Sequence, residues 1–201
     1  MSFGLPPSTE INNIISKKAI IEKFSLSGQE RTSFDSSIHR IVISNEISPR
    51  TVNIPSGDIK SIFILRAELR EEDCDPRVLS MLFDLIDQRM IIVLQCGIRC
   101  KPTVFNDILI EGEWMLQSDF SLTLEGLDLD NVWKNLVIQI GHIEMEKGNS
   151  LSDQISKNER RKAIELQIAQ LTKKMMSEKQ PKRKRELFDQ ISIIRKSLDD
   201  I

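Results

Sequence analysis

The feature that most restricts the fold is a pair of heptad stretches between Leu151 and Ile201. Their apolar residues recur at spacings of four and three: Ile164, Ile168, Leu171 and Met175, then Leu187, Ile191, Ile194, Leu198 and Ile201. These spacings are typical of the a and d positions of coiled-coil helices. Pro181 lies between the stretches, where it would break one long helix but suits the first turn of a second. The pattern predicts an antiparallel coiled-coil helical hairpin over residues 151–201, joined near residues 177–181.

The seam of this predicted hairpin is short. Isolated helices of fewer than ~12–15 residues are only marginally stable in water. We therefore expect the hairpin to pack against the rest of the chain or to pair with another chain. A homo-oligomer formed through the seam is one consequence of this expectation.

Charge is divided unevenly along the chain. Residues 151–201 contain thirteen Lys and Arg against eight Asp and Glu, whereas the other residues contain fifteen against twenty-two. Seven basic residues surround the predicted turn: Lys173, Lys174, Lys179, Lys182, Arg183, Lys184 and Arg185. Such a cluster can neutralise nucleic-acid phosphates, dock on an acidic protein surface, or solvate a turn between coiled-coil helices. No aromatic residue is interleaved, so base stacking is not indicated, and the three alternatives stay open.

The preceding residues predict an α+β domain. The expected order is helix, helix, strand, helix, three strands, helix, which gives a mixed, mainly antiparallel sheet of four or five strands with flanking helices. The helices are expected over residues 11–24, 33–42, 75–88 and 127–141, and the strands over residues 59–69, 90–95, 98–105 and 113–120. Residues 147–150 form a boundary, which divides the chain into 1–147 and 151–201.

Several segments of this domain are less strongly patterned. Arg40–Ser44 is predicted as part of a helix, with a strand as the alternative. Residues 25–32 are expected to form a polar linker, residues 51–54 a short extended piece, and residues 106–112 a turn.

The composition excludes several classes of site. The glycines do not have the spacing of a phosphate-binding loop. His39 and His142 both lie on predicted helices, and neither has a Ser or Cys nucleophile flanked by glycines near it in sequence. Cys96 and Cys100 are half of a zinc pattern at most, so the three cysteines are interpreted as reduced thiols in a cytoplasmic protein. We expect no cofactor. No run of apolar residues approaches the ~20 needed to cross a bilayer, and the N-terminus does not have the pattern of a secretion signal.

A small metal-dependent nuclease, or a degenerate relative of one, is the enzymatic alternative. Such sites need acidic and polar side chains that converge from neighbouring strands on a divalent ion. Glu68 ends the predicted central strand, Gln95 ends the next strand, and Asp107 follows in a turn region. Convergence of these three side chains in a cleft would favour the nuclease.

Two segments carry a resemblance to a known family: Leu5–Asn12, which reads LPPSTEIN, and Ile47–Ile54, which reads ISPRTVNI. Together with the basic C-terminal hairpin, they resemble a bacterial domain family of unknown function. The resemblance implies an accessory protein encoded near Swi/Snf-type helicases and restriction–modification or anti-phage defence genes. It implies no catalytic residues.

The sequence thus favours a non-enzymatic accessory or adaptor protein over an enzyme. Its protein partner is expected to be of the helicase or methyltransferase type, and DNA is a further candidate partner of the basic hairpin. A membrane partner is not expected.

Overall fold

A computed structural model describes residues 3–146 and 148–199 of the chain. The chain forms two compact units, Met1–His142 and Ile143–Ile201. The predicted boundary, at residues 147–150, lies a few residues beyond this division. The predicted seam residue Ile201 lies outside the described residues, as does the side chain of Leu198.

The first unit is built around one mixed β-sheet. The described strands are β1 (Glu10–Ile15), β2 (Ile38–Ile47), β3 (Ile62–Leu69), β4 (Arg89–Cys96), β5 (Arg99–Asn106), β6 (Ile108–Glu111) and β7 (Met115–Leu116). They are ordered from β1 to β6, and β7 pairs with β5. All pairs are antiparallel except β3 and β4. The α+β class is therefore confirmed, but the sheet has seven strands in the described residues rather than four or five.

In the described part of the first unit, four helices and a single helical turn accompany the sheet. They are α1 (Lys17–Lys23), α2 (Gly28–Ser37), α3 (Pro49–Val52), α4 (Pro76–Phe83) and α5 (Leu129–Gly141), preceded by a 3₁₀ turn at Pro7–Thr9. The helix α4 connects β3 to β4, and this crossover lets the two strands run parallel. Its start follows the predicted signal, because the Asp75 carboxylate accepts the Arg77 N–H and Pro76 occupies the first position.

One face of the sheet forms a continuous apolar core with α1, α2 and α4. Ile20, Phe34 and Leu82 from these helices are fully or almost fully buried against it. The strands contribute Leu65, Ala67, Ile92 and Leu94, among others, to the same cluster. Each large aliphatic or aromatic side chain buried in this way stabilises the fold by roughly 1.5–3 kcal/mol.

The helix α5 contacts β5 and β6. Its predicted apolar stripe is confirmed, since Val132, Trp133, Leu136, Val137 and Ile140 are all buried. The Asp128 carboxylate caps the helix by accepting the Asn131 N–H. The indole N–H of Trp133 donates to Asn106 Oδ1 at 2.9 Å, which joins the helix to the end of β5.

The prediction for the N-terminal segment is wrong in its first half. Glu10–Ile15 forms an edge strand rather than the start of a helix, and the helix begins only at Lys17. Pairing with β2 supplies hydrogen bonds that the local apolar spacing does not reveal. Asn12 adopts a positive φ of 47°, and the register shifts between Glu10 and Asn13, as in a β-bulge.

The next two predictions are also corrected. The polar segment expected to be a linker lies largely in α2, which begins at Gly28. The helix expected to continue to Val42 gives way to β2 at Ile38, so the strand alternative for Arg40–Ser44 is the correct one. The β-branched residues of this segment pair with β3 in the middle of the sheet, and tertiary pairing overrides their helical spacing.

Four shorter segments differ from expectation. Residues 51–54 do not extend, because Pro49–Val52 forms one helical turn in which Thr51 Oγ1 accepts the Ser48 N–H. The turn predicted for residues 106–112 contains β6, which follows a positive φ of 63° at Asp107. The strand predicted for residues 113–120 is reduced to Met115–Leu116. The helix predicted to reach residue 88 ends at Phe83.

The second unit contains two helices, α6 (Leu151–Ser177) and α7 (Pro181–Asp199), which contact each other. We call them the helical pair. The Ser150 side chain caps α6 by accepting the Asp153 N–H. The break between the helices falls at residues 178–180, within the predicted turn. Within the described residues, no helix combines the length and the apolar character needed to span a membrane.

Candidate polyanion-binding site

The turn of the helical pair is held by one acidic residue. The Glu178 carboxylate accepts the backbone N–H groups of Lys179 and Gln180 at 2.8 and 2.9 Å. These hydrogen bonds lower the pKa of Glu178 below its usual value of 4.5, and the bond from Gln180 has the largest effect. The nearby charge of Arg183 lowers the pKa further. The helix α7 then starts at Pro181, and the Lys184 N–H donates to the Gln180 carbonyl at 3.0 Å.

The turn brings the seven predicted basic residues together at one end of the helical pair, which we call the basic tip. It consists of Lys173, Lys174, Lys179, Lys182, Arg183, Lys184 and Arg185, all exposed. In the part of the chain that the structure describes, none of them has an ion pair within 4.0 Å. Basic residues elsewhere on α6 do, since Arg161 pairs with Glu165 and Lys157 with Glu146. The positive charge of the tip is therefore largely uncompensated.

The position of these charges on α7 is unfavourable for the helix itself. The N-terminus of a helix carries a partial positive charge, so cations there are destabilising and anions are stabilising. The first turn of α7 contains Lys182, Arg183 and Lys184 and no acidic residue. Lys173 and Lys174, by contrast, lie near the end of α6, where the helix dipole favours them. An anion bound at the start of α7 would relieve the conflict.

A groove of about 420 Å³ lies between the end of α6 and the start of α7. It is lined by Lys174, Ser177, Glu178, Arg183, Glu186, Leu187 and Gln190. The aromatic side chain of Phe188 lies next in sequence and is 58% exposed. The groove thus combines ammonium, guanidinium and hydroxyl donors with the carboxylates of Glu178 and Glu186, and it has little aromatic surface.

The structure separates the three residues of the nuclease hypothesis. Glu68 and Gln95 are direct neighbours in the parallel pair of β3 and β4. Gln95 is also opposite Cys100 at the start of β5, whereas Asp107 follows the far end of that strand. Asp107 lies seven residues beyond Cys100, the partner of Gln95, and in extended chain this distance is roughly 23 Å. The three side chains do not converge, so the predicted metal site is not formed. No other group of three potential metal ligands occurs in the described residues.

The surroundings of Glu68 are basic rather than acidic. Arg66 lies two residues earlier on the same face of β3, and its Nη2 is 3.4 Å from Glu68 Oε1. Arg40 of β2 is directly opposite Glu68. Sequence reasoning missed both arginines, although charged residues at alternate positions of the otherwise apolar strand Ile62–Leu69 were a visible signal.

The cysteines and histidines also fail to form a site in the described structure. Cys100 faces the side of the sheet occupied by Gln95, and the pleat places Cys96 on the opposite side, which rules out their sharing a metal. Burial raises the pKa of both the Cys74 and the Cys100 thiol to about 11, so both remain protonated. His39 lies exposed on β2 and His142 caps the end of α5, rather than on helices as predicted.

Comparison with known proteins identifies the family. Residues 3–198 match the family described as Domain of unknown function (DUF4391). The chain belongs to this family. Neither the curated proteins nor the solved structures provide a match. The predicted resemblance to a domain family of unknown function is thereby confirmed, and the family description assigns no activity.

Proposed function

We propose that this protein is a non-enzymatic accessory protein that contacts DNA phosphates through its basic tip. The observation that carries the proposal is the set of seven exposed, unpaired basic side chains around the turn, three of them in the first turn of α7. For the three residues in the first turn of α7, neither hydrophobic packing nor helix stability accounts for the placement. Binding of a polyanion does, because each neutralised phosphate releases condensed counterions.

The helical pair is proposed to be an antiparallel coiled-coil hairpin that presents this tip. Two observations support it: α6 and α7 contact each other, and only residues 178–180 separate them. Most of the described seam residues are half-buried: Ile164, Ile168, Leu171, Met175, Leu187 and Ile194. Ile191 is the described seam residue that is buried.

The biological setting is proposed from the resemblance discussed above. The protein would serve a bacterial DNA-processing or defence system in the cytoplasm, alongside a helicase or methyltransferase partner. In this setting a DNA-contacting tip would hold the partner near its substrate without performing chemistry.

The test is charge reversal of the tip. We expect Lys182, Arg183, Lys184 and Arg185 changed together to Glu to abolish retention of duplex DNA at low salt. For the wild-type protein, the logarithm of the association constant should fall with the logarithm of salt concentration by about 0.9 for each phosphate neutralised. Fluorescence anisotropy with labelled duplexes of unrelated sequence measures both effects, and binding should be independent of sequence.

A matched control is available on the same two helices. Arg160, Lys162, Arg195 and Lys196 are exposed basic residues away from the turn, and changing all four to Glu alters the net charge by the same amount. This variant should retain most of the DNA affinity. An equal loss of DNA affinity in both variants would show that net charge alone explains binding. Unchanged DNA binding by the tip variant would show that the tip does not bind DNA.

A further inference from the structure

The second concentration of charge lies on the sheet, in the unit Met1–His142. Arg40, Glu68 and Gln95 are aligned across β2, β3 and β4. Arg66 lies one row behind them, between Val42 and Val93 of the neighbouring strands. Directly opposed residues of neighbouring strands project to the same face, so these four polar side chains share one face near the ends of the parallel strands β3 and β4.

The Arg66 guanidinium group has few hydrogen-bond and ion-pair partners at its position in the sheet. Its side chain is only 19% exposed, and that of its partner Glu68 is 22% exposed. Among the described residues it has one ion pair, from Nη2 to Glu68 Oε1, which is long at 3.4 Å. Its Nε atom is buried and has no hydrogen-bond partner in the described structure. A buried donor without a hydrogen bond costs free energy, and the cost is larger when the group is charged. The unpaired Arg66 Nε therefore requires an explanation.

Arg99 shows what a satisfied arginine in the same sheet looks like. Its Nη1 contacts both Glu72 oxygens at 2.8 Å, and its Nη2 donates to the Trp114 carbonyl at 3.1 Å. Arg99 lies opposite Cys96, on the other face of the sheet from Arg66. Compared with Arg99, Arg66 has fewer hydrogen-bond acceptors than its guanidinium group can use.

We infer that this face of the sheet is an oxyanion site that takes a phosphate or carboxylate group. The Nε–H is buried in the unliganded chain, so binding requires the Arg66 side chain to turn until Nε–H and Nη2 form a fork that matches two oxygens of such a group. Arg40 is exposed, and within the described residues it has no ion pair. Gln95, half-buried in the same row, adds an uncharged amide donor.

The charges favour an anion over a cation. Two guanidinium groups face one carboxylate, which leaves one positive charge for the ligand to balance. Glu68 keeps Arg66 oriented in the absence of ligand. This site is independent of the basic tip, because its residues all belong to the other unit.

The test follows the Arg66 side chain directly. In the full-length protein, the Nε–Hε resonance of Arg66 is assigned by its loss in Arg66→Lys, and inorganic phosphate or acetate is titrated against chloride at constant ionic strength. We expect a saturable shift of the Arg66 resonance, with the Arg99 resonance unmoved. A shift with phosphate alone identifies a phosphate ligand, and a shift with both ions identifies an oxyanion site that also accepts carboxylates.

Variants then separate binding from folding. Arg40→Gln changes an exposed side chain and should weaken the apparent affinity about tenfold, the loss expected for one charge-assisted hydrogen bond. Arg99→Gln is the matched control and should leave the titration unchanged. The inference is overturned if neither anion moves the Arg66 resonance, or if Arg40→Gln and Arg99→Gln leave the same affinity. Because the readout is an Arg66 atom, anion binding at the tip cannot imitate it.

Discussion

At the scale of single residues, Glu178 fixes the backbone of the turn that carries the basic tip. Its carboxylate fixes two backbone N–H groups in the segment between α6 and α7. Without it, the amides of Lys179 and Gln180 would need water as their acceptor. One acidic side chain within a basic cluster therefore organises the turn on which the cluster depends.

The turn should respond to acid. Because the folded-state pKa of Glu178 is lowered below 4.5, its contribution is complete above that value and is lost as the pH falls through the lowered pKa. We expect the Lys179 and Gln180 amide resonances to titrate together, with a midpoint below 4.5. In Glu178→Gln, whose side chain does not titrate, this transition should be absent. A midpoint at or above the usual glutamate value would contradict the assigned hydrogen bonds.

At the scale of the element, the proposed function of α7 conflicts with the stability of the helix. Its first turn carries like charges on the positive end of the helix dipole. Its predicted seam continues through Leu187, Ile191 and Ile194, so the helix is supported further along rather than at its start. A sequence selected only for helix stability would place Asp or Glu at these first positions.

Charge reversal of the tip should consequently stabilise α7 while it abolishes DNA binding. Each Glu introduced in the first turn is worth about 0.3–1 kcal/mol from the helix dipole alone. The change of Lys182, Arg183 and Lys184 to Glu should raise the helical content and the thermal midpoint measured by circular dichroism. If this variant instead lost helix, its loss of DNA binding would be explained by unfolding and would not support the proposal.

At the scale of the whole molecule, the two units differ in how they are held together. The sheet unit has a core closed on one face by α1, α2 and α4, and most of its core side chains are buried. In the helical pair, most described seam residues are only half-buried. A seam with this much exposed apolar surface gains stability if a second copy of the chain covers it.

We therefore expect concentration-dependent self-association through the helical pair. Sedimentation velocity should show the mass rising with protein concentration, and Ile168→Glu combined with Leu171→Glu should leave a monomer. Leu166→Glu is the matched control, because Leu166 is 62% exposed and lies off the seam, and it should not change the mass. A wild-type protein that stays monomeric at all concentrations would make this prediction wrong.

The elements predicted well share a strong local pattern. The helix α5 has a five-residue apolar stripe and an Asp cap, and α4 has an Asp-Pro start, so each is encoded within its own segment. The buried strands β3 and β4 were recognisable as short segments rich in β-branched and large apolar residues. The break between α6 and α7 at residues 178–180 and the clustering of basic residues around it were likewise readable from Pro181 and the charge pattern.

What the sequence could not decide depends on pairing between distant segments. Ile11, Ile14 and Ile15 fit a helix by spacing, yet they form a strand because β2 offers them a hydrogen-bonding edge. Strand order likewise placed Asp107 at the far end of β5 from Gln95 and set Arg40 and Arg66 around Glu68. Local periodicity and capping thus determined the strong elements and the basic tip by sequence alone. Only the tertiary structure decided which side chains meet across the sheet, because register and strand order arise from contacts that no single segment contains.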